Sequence, residues 1–296
     1  MSEIGLGTNN FGSRIDEARC WAIVDQALES GVNFIDTADI YGQGQSEMVL
    51  GKILAGRRDS VVLATKFGMQ MGEEPGFRRG ASRRWIMRAV EDSLRRLDTD
   101  YIDLYQVHAP DSSTPIVETL QALDDLVQQG KVRYVGHSNF NAYQTVDADW
   151  TARTEHLARP ISSQLYYNLL HREIEAEAIP ACWEFGLGVI PYFPLESGFL
   201  TGKYGKLTTP PGSRLAEGPR HDAVLTDENF ERLRRLDDFA REHDHTLLEL
   251  ALGWLLSRDE VSVVIAGASS AEQVAQNVEA SGWRLDATEM ELVGAL

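Results

Sequence analysis

The chain has 296 residues and a formal net charge of −17, with 43% hydrophobic and 25% charged residues. This is the composition of an ordinary globular protein, and it excludes disordered and collagen-like chains. The excess of carboxylates argues against a nucleic-acid partner, because phosphate backbones are bound by basic patches. The two cysteines, Cys20 and Cys182, lack the spacing of a disulfide framework or a zinc site. We therefore expect a reducing compartment and no metal.

The amino terminus predicts neither export nor insertion into a membrane. Residues 1–10, MSEIGLGTNN, lack a basic start followed by an apolar run. No stretch of the chain reaches the ~18 uninterrupted apolar residues of a membrane-spanning helix. We expect a cytoplasmic protein with no membrane partner.

Short β-rich runs alternate with amphipathic segments along the chain. Eight runs predict strands, over Ile4–Thr8, Asn33–Ala38, Val61–Lys66, Ile102–His108, Val132–Ser138, Ser162–Tyr167, Val189–Phe193 and Ser262–Gly267. Helices are predicted over Glu17–Glu29, Ser46–Leu54, Arg83–Leu97, Ile116–Gln129, Glu173–Phe185, Leu247–Ser257 and Ala271–Glu279. Ser82 is placed to cap one helix at its start, and Gly31, Gly130 and Gly186 predict left-handed caps at helix ends.

Eight such alternations in one chain predict the α/β class and a (β/α)8 TIM barrel, as a single domain over residues 1–296. An open doubly wound sheet uses the same elements, but the first strand and turn, GLGTNNFG, lack the GxGxxG fingerprint of such sheets. Two long connections, Phe67–Ala81 and Glu196–Asp227, each follow a strand. On a barrel, these loops would lie over the mouth that holds the active site.

Reactive side chains occur at the predicted carboxyl ends of neighbouring strands. They are Asp36 with Tyr41 five residues later, Lys66, and His108. An ammonium close to a phenol favours the phenolate and lowers the phenol pKa, so Lys66 would make Tyr41 a better proton donor. Asp36 would keep Lys66 charged, and His108 would donate a hydrogen bond to a carbonyl oxygen. Such a site protonates an oxygen as negative charge builds on it.

Eight segments of the chain carry a further signal: GLGTNNFG (5–12), GVNFIDTADIYGQGQSE (31–47), VLATKFG (62–68), SLRRLDTDYIDLYQVHAPD (93–111), GKVRYVGHSNF (130–140), SQLYYNLLHR (163–172), GVIPYFPLESGFLTGKY (188–204) and GASSAEQVAQN (267–277). These segments resemble those of the aldo-keto reductase family, in the family's order and across nearly the whole chain. The family's Asp, Tyr, Lys and His tetrad falls on Asp36, Tyr41, Lys66 and His108. The resemblance implies a TIM-barrel reductase of aldehydes or ketones that uses NADPH, or NADH as the alternative, with Tyr41 as proton donor and without metal or flavin.

The resemblance also implies where the cofactor lies. The nicotinamide amide would contact Ser138, Asn139 and Gln164, and Tyr192 would stack on the nicotinamide ring. The pyrophosphate would lie against Pro194, Leu195, Ser197, Gly198, Leu200 and Lys203. The adenosine phosphate would contact Gly267, Ser269, Gln273 and Asn277, while Gly7, Thr8 and Asp36 would line the inner end of the groove.

The sequence departs from the family pattern at three places. It reaches the first strand almost at once, so we expect it to lack the hairpin that usually covers the barrel bottom. Asn9 stands where many relatives have tryptophan, which predicts a more polar rim. The adenosine segment has Ser269, Ser270 and Gln273 in place of a basic residue, which predicts a modest preference for NADPH unless Arg214 substitutes.

Two other functions stay open at this stage. One is a non-catalytic NADPH-binding regulatory subunit, since some members of the family are partners of ion channels, although such a subunit need not keep the full tetrad. The other is a barrel aldolase or hydrolase that uses Lys66 as a nucleophile, which would need a lowered lysine pKa. We expect a monomer that acts on a small carbonyl compound. Phe67, Met69, Trp85 and Tyr105 are candidates to line its pocket.

Overall fold

Eight parallel strands, each followed by a helical or turning segment, form the centre of the protein in a computed structural model. The structure describes residues 1–72, 78–206, 208–216 and 220–296. The strands are β1 Ile4–Gly7, β2 Phe34–Asp36, β3 Val62–Phe67, β4 Ile102–Val107, β5 Val132–Ser138, β6 Pro160–Tyr166, β7 Gly188–Tyr192 and β8 Val264–Gly267. Their hydrogen-bonded order is β7-β6-β5-β4-β3-β2-β1-β8. This confirms the predicted α/β fold with a nearly closed (β/α)8 barrel.

The barrel closes between β7 and the residues just before β8. The Val189 N–H donates to the Glu260 carbonyl (2.8 Å), and the Ser262 N–H donates to the Val189 carbonyl (2.9 Å). Gly188 allows this close approach, because a Cβ there would lie 2.1 Å from the Ser262 hydroxyl. A small apolar cluster fills the interior of the barrel, comprising Phe34, Ala64, Leu104, Ile190, Val263 and Ile265.

Eleven α-helices lie in the described residues. They are α1 Glu17–Glu29, α2 Gln45–Leu54, α3 Arg83–Leu97, α4 Ile116–Gln128, α5 Ala142–Thr154, α6 Ala178–Phe185, α7 His221–Val224, α8 Asp227–Glu242, α9 Leu247–Leu256, α10 Ala271–Glu279 and α11 Ala287–Ala295. As predicted, the Ser82 hydroxyl caps α3 by accepting from the Trp85 N–H. Gly31, Gly130 and Gly186 all have positive φ after helix ends. The larger apolar core lies between these helices and the barrel.

The structure corrects several sequence predictions. Helices α5, α7, α8 and α11 were not predicted, and the segment Glu173–Phe185 divides into a short 3-10 turn, Glu173–Glu175, and α6. Phe67, Trp85 and Tyr105, expected to line a pocket, are buried in the larger apolar core, whereas Met69 is largely exposed.

The two long connections and the amino-terminal segment were also predicted. Residues 73–77, 207 and 217–219 of the connections lie outside the described residues. The described part of the second connection contains a 3-10 turn, Glu196–Thr201, and α7. Within the described residues 1–72, β1 is the first strand. In the first half of β5, away from the carboxyl ends of the strands, Tyr134 is 56% exposed.

Candidate active site

A buried lysine connects three elements at the carboxyl end of the barrel. The Lys66 ammonium, from the end of β3, donates to Asp36 Oδ2 (2.5 Å) at the end of β2 and to the Thr37 carbonyl (2.9 Å). It also lies 3.4 Å from the Tyr41 hydroxyl. Lys66 and Asp36 are almost completely buried, so water contributes little to holding this geometry. The structure thus brings together three of the four predicted tetrad residues by direct contact.

Tyr41 begins the tight turn Tyr41–Gly44, which directs its ring toward Lys66. Gly42, Gln43 and Gly44 all have positive φ, a conformation that glycine adopts without steric cost. The Lys66 ammonium lies 5.1 Å from the centre of the Tyr41 ring. The local sequence YGQG therefore positions the phenol against the ammonium.

Burial and charge act in opposite directions on the two titrating groups. Burial acts to lower the pKa of Lys66, but Asp36 and Tyr41 raise it by more, so the pKa of Lys66 is above its usual value. Burial raises the pKa of Tyr41, and the opposing effect of Lys66 is smaller. The expected influence of Lys66 on the Tyr41 pKa is present, but burial outweighs it. Tyr41 is therefore a protonated phenol at neutral pH.

His108 follows β4 and faces the Tyr41 ring edge-on, with ring centroids 5.9 Å apart. Burial, with a smaller effect from Lys66, lowers the pKa of His108 to about 3. A neutral imidazole has one N–H to donate, which suits a hydrogen bond to an uncharged carbonyl oxygen. The fourth predicted tetrad residue thus faces the same space as the phenol.

Two glutamines complete the surroundings of Asp36. Gln164 Nε2, from β6, donates to Asp36 Oδ1 (2.9 Å), and Gln106 Nε2, from β4, donates to the same oxygen (3.3 Å). Gln106 pairs with Lys66 in the β3–β4 register. Gln164 was predicted as a cofactor contact and Gln106 was not predicted; the one signal for Gln106 is a polar residue in an otherwise apolar strand end, LYQV.

Asn139 connects His108 to the predicted nicotinamide platform, Tyr192. Its amide donates to the His108 carbonyl (2.9 Å) and to the Ser138 hydroxyl (3.1 Å). Its oxygen accepts from the Tyr192 hydroxyl (2.8 Å), and the Ser138 hydroxyl in turn donates to the Gln164 carbonyl (2.9 Å). The structure therefore groups all four residues expected at the nicotinamide beside the tetrad.

The loop after β7, residues 193–203, is called the cradle loop. Glu196, Ser197 and Gly198 have successive positive φ values, so the chain turns sharply there. A Cβ on Gly198 would lie 2.6 Å from the Lys203 ammonium, so the lysine packs against the glycine backbone. The Ser197 hydroxyl is buried and has no partner within the described residues. Pro194, Leu195 and Leu200 lie in the same loop, with Pro194 and Leu200 buried.

The predicted adenosine segment forms the start of α10. The Gln273 side-chain oxygen accepts from the Ser269 N–H (2.8 Å) and hydroxyl (3.0 Å), and Ser270 caps the helix. Asn277 is buried on the inner face of α10, and Gly267 ends β8. Gly7 pairs with Gly267 in the β1–β8 register.

Thr8 and Gly7 lie at the end of β1, beside Asp36. The Thr8 hydroxyl donates to the Asp36 carbonyl (2.9 Å), so its polar group is used within the fold. The Ser46 hydroxyl donates to the Thr8 carbonyl (3.0 Å). These contacts fix the backbone at the inner end of the groove.

Arg214 lies at the barrel mouth. Its guanidinium contacts Asn9 Oδ1 (3.4 Å) and lies over the Phe193 ring at 5.0 Å. Burial lowers its pKa, which indicates a partly desolvated cation. Asn9 thus serves as an acceptor for this arginine.

The described parts of the chain also limit the types of site. No group of three or more His, Cys, Asp or Glu side chains there is arranged to hold a metal ion. None of the helices described is both long enough and apolar enough to cross a membrane.

Known proteins match this chain over most of its length. The model of the aldo/keto reductase family matches residues 3–296. The chain is 35% identical over 291 residues to "Probable aldo-keto reductase 1" of Glycine max, which covers 96% of this chain and 82% of that protein. It is 36% identical over 296 residues to "Uncharacterized oxidoreductase YrpG" of Bacillus subtilis, covering 97% and 89%. It is also 36% identical over 288 residues to "Probable voltage-gated potassium channel subunit beta" of Oryza sativa, covering 95% and 87%.

The barrel carries a buried Asp–Lys pair in contact with a half-buried tyrosine at the carboxyl ends of its strands, an arrangement suited to an enzyme. The match over residues 3–296 and the relatives above 30% identity show the family. The chain belongs to the aldo/keto reductase family. Its relatives named as a reductase and an oxidoreductase support an oxidoreductase activity.

Proposed function

We propose that this protein, as one domain over residues 1–296, reduces an aldehyde or ketone to an alcohol with a nicotinamide nucleotide. The observation that carries the proposal is the Lys66 ammonium placed between Asp36 and the Tyr41 hydroxyl. That arrangement can deliver a proton to an oxygen and stabilise the phenolate left behind. Family membership supports a small carbonyl compound as substrate and NADP(H) as the nucleotide.

Each side chain of the tetrad has a distinct part. The Tyr41 hydroxyl donates its proton to the carbonyl oxygen, and Lys66 stabilises the resulting phenolate. Asp36 keeps the lysine charged and oriented, while the neutral His108 donates a hydrogen bond to the same carbonyl oxygen. The side chains of the protein lack a hydride donor, and a reduced nicotinamide supplies the hydride when bound.

The residues present fit such a nucleotide. Gly198 has no side chain, which lets the Lys203 ammonium pack against the backbone of this loop, and the buried Ser197 hydroxyl there has no partner among the described residues. Pro194, Leu195, Ser197, Gly198, Leu200 and Lys203 would hold the pyrophosphate. Ser138, Asn139, Gln164 and Tyr192 would hold the nicotinamide, and Gly7, Thr8, Gly267, Ser269, Gln273 and Asn277 the rest of the groove.

A panel of aldehydes and ketones tests the proposal, with oxidation of NADPH and of NADH followed by absorbance. We expect turnover with at least one class of carbonyl and no requirement for added metal. Nucleotide binding without turnover of any carbonyl would instead favour the second function, a regulatory subunit. That alternative is supported by the similarity to proteins named as probable potassium channel beta subunits.

The third candidate, a barrel aldolase or hydrolase that uses Lys66 as a nucleophile through a Schiff base, is the least supported. Lys66 is paired with Asp36 at 2.5 Å, and its pKa is raised, whereas an amine nucleophile must lose its proton. Borohydride treatment in the presence of a carbonyl compound distinguishes the two reactions. We expect no covalent adduct on Lys66.

A further inference from the structure

Three aromatic rings are stacked from the protein surface toward the tetrad. Tyr166, at the end of β6, packs against His171 with ring centroids 3.7 Å apart and planes 19° apart. Tyr166 also packs against Tyr192, with centroids 5.5 Å apart and planes 12° apart. Tyr166 therefore covers one face of the ring on which the nicotinamide would lie.

The hydroxyl of Tyr166 is anchored to a buried carboxylate. It donates to Glu196, which is 2% exposed and lies in the cradle loop after β7. Asn168 Nδ2 also donates to Glu196 (2.8 Å), and Arg220 contacts both Glu196 and the Tyr166 hydroxyl. Arg220 neutralises the buried carboxylate of Glu196. The Tyr166 hydroxyl is therefore held by a carboxylate that is both ion-paired and hydrogen-bonded.

Arg220 also brings the second long connection into the cluster. Its guanidinium lies 4.7 Å from the centre of the Tyr166 ring and 4.5 Å from that of Phe193, the residue after Tyr192. The ring of Tyr166 is thus fixed by residues of three segments that surround the proposed nucleotide groove.

Tyr192 itself is held at two points. Its hydroxyl donates to Asn139, whose amide donates to the His108 carbonyl. Its ring face rests on Tyr166. With the hydroxyl fixed as a pivot, the remaining freedom of Tyr192 is a tilt of its ring, and the Tyr166 ring restricts that tilt.

We propose that Tyr166 is a positioning residue for the nicotinamide: it fixes the ring plane of Tyr192, and the Glu196–Arg220 pair fixes Tyr166. This inference rests on the proposed function, since it needs a nicotinamide on Tyr192. Loss of the Tyr166 ring lets Tyr192 tilt, which weakens nucleotide binding and misaligns the hydride. Loss of the hydroxyl alone leaves the stack in place, because His171 and the Arg220 guanidinium still pack on the ring, and Glu196 still holds Arg220.

The test compares Tyr166→Phe, which keeps the ring, with Tyr166→Leu, which removes it. Tyr134→Leu is the control, since Tyr134 is exposed and lies in the first half of β5, away from the carboxyl ends of the strands. The measurements are the Kd of NADPH by fluorescence titration, kcat, and the kinetic isotope effect with NADPH deuterated at the transferred hydrogen. Thermal unfolding of each variant reports the purely structural effect.

We expect Tyr166→Leu to weaken NADPH binding about three- to tenfold, the size of one aromatic pair, and to raise the isotope effect as hydride transfer becomes slower. Tyr166→Phe should stay close to the wild type in both measurements. A Tyr166→Leu variant with a lower Tm but an unchanged Kd and isotope effect would show a structural role only and overturn the inference. So would a Tyr166→Phe variant as impaired as Tyr166→Leu. If the wild type binds neither NADPH nor NADH, the proposed function fails, and the inference fails with it.

Discussion

Tyr41 is the residue on which the proposed chemistry depends most directly. Tyr41→Phe removes the proton donor but none of the residues proposed to hold the nucleotide. We expect the reduction rate to fall by about 10²–10⁴-fold, the usual contribution of general acid catalysis, with a nearly unchanged Kd for NADPH. Steady-state kinetics and fluorescence titration measure the two quantities, with the exposed Tyr143→Phe as control. A variant that keeps more than about half of the activity would remove Tyr41 from the mechanism.

Lys66 should set the alkaline limit of the activity. Reduction needs a protonated Tyr41, so the rate falls as the pH rises through the pKa of this phenol. Lys66 acts to lower that pKa, and after its removal in Lys66→Met the raising effects of burial and Asp36 are opposed only by the smaller effect of Arg214. We therefore expect the alkaline limb of the pH–rate profile to move to higher pH in Lys66→Met, together with a large loss of rate.

The pH profile of a distant lysine variant provides the comparison. Lys52→Met removes an exposed ammonium that pairs with Glu17 on the surface. Its alkaline limb should coincide with that of the wild type. An unshifted limb in Lys66→Met as well would mean that Lys66 does not tune Tyr41.

Local order in the sequence was enough to predict that the proposed tetrad residues lie close together, because Asp36, Lys66 and His108 stand at or beside strand ends that a barrel brings to one mouth. The contacts among Tyr166, Glu196 and Arg220 could not be predicted in this way. Arg220 reaches Tyr166 across 54 residues and Glu196 across 24, by a path through a long connection that no periodicity describes. The net rise of the Tyr41 pKa was also missed, since burial depends on the packing around the ring.

At the scale of elements, apolar periodicity predicted the buried strands better than the outer helices. In α5 the apolar face is weak, because Tyr143 and Trp150 are exposed. In α8 the buried residues Leu233, Leu236, Phe239 and Ala240 stand among many charges. Their starts are nevertheless encoded, because Asn141 and Thr226 cap the two helices. Capping residues thus carried information that the hydrophobic pattern did not.

Close contact between α2 and α3 depends on a glycine. A Cβ on Gly51 would lie 2.5 Å from the Arg96 carbonyl oxygen, which is backbone and cannot move aside cheaply. Gly51→Ala should therefore push the helices apart and destabilise the fold by about 1–3 kcal/mol, despite the better helix propensity of alanine. Urea unfolding followed by circular dichroism measures the change.

Gly282→Ala is the matched control for that prediction. Gly282 has no atom within 4 Å of an added Cβ, so the substitution should leave the free energy of unfolding nearly unchanged. A second contact joins the two helices, since the Arg96 guanidinium of α3 donates to the buried Glu47 of α2 (2.7 Å). A Gly51→Ala protein as stable as the wild type would show that α2 and α3 adjust without cost.

At the scale of the whole molecule, the charge of −17 opposes an anionic cofactor, so binding must rely on local cations. Lys66, Lys203, Arg214 and Arg220 lie at the end of the barrel where the nucleotide is proposed. Lys66 and Arg220 are each paired with a carboxylate, whereas Lys203 packs on the cradle and Arg214 contacts an amide oxygen. We infer that Lys203 and Arg214 are the cations available to phosphate.

The preference for NADPH over NADH follows from where these cations lie. Phosphate recognition is strongest with charge-assisted hydrogen bonds, and between Ala266 and Asn277 the chain has no basic residue. The start of α10 offers only hydroxyls, an amide and the helix end, and Gln273 is already bonded to Ser269. We expect NADPH to be preferred by about tenfold in kcat/KM, or ~1.4 kcal/mol, with one aldehyde as substrate. Gln273→Arg should widen the preference by adding a cation at the helix start, and Arg214→Ala should narrow it if this arginine reaches the 2′-phosphate. A thousandfold preference in the wild type that survives Arg214→Ala would reveal another basic partner, and a preference for NADH would show that this member of the family has changed its nucleotide.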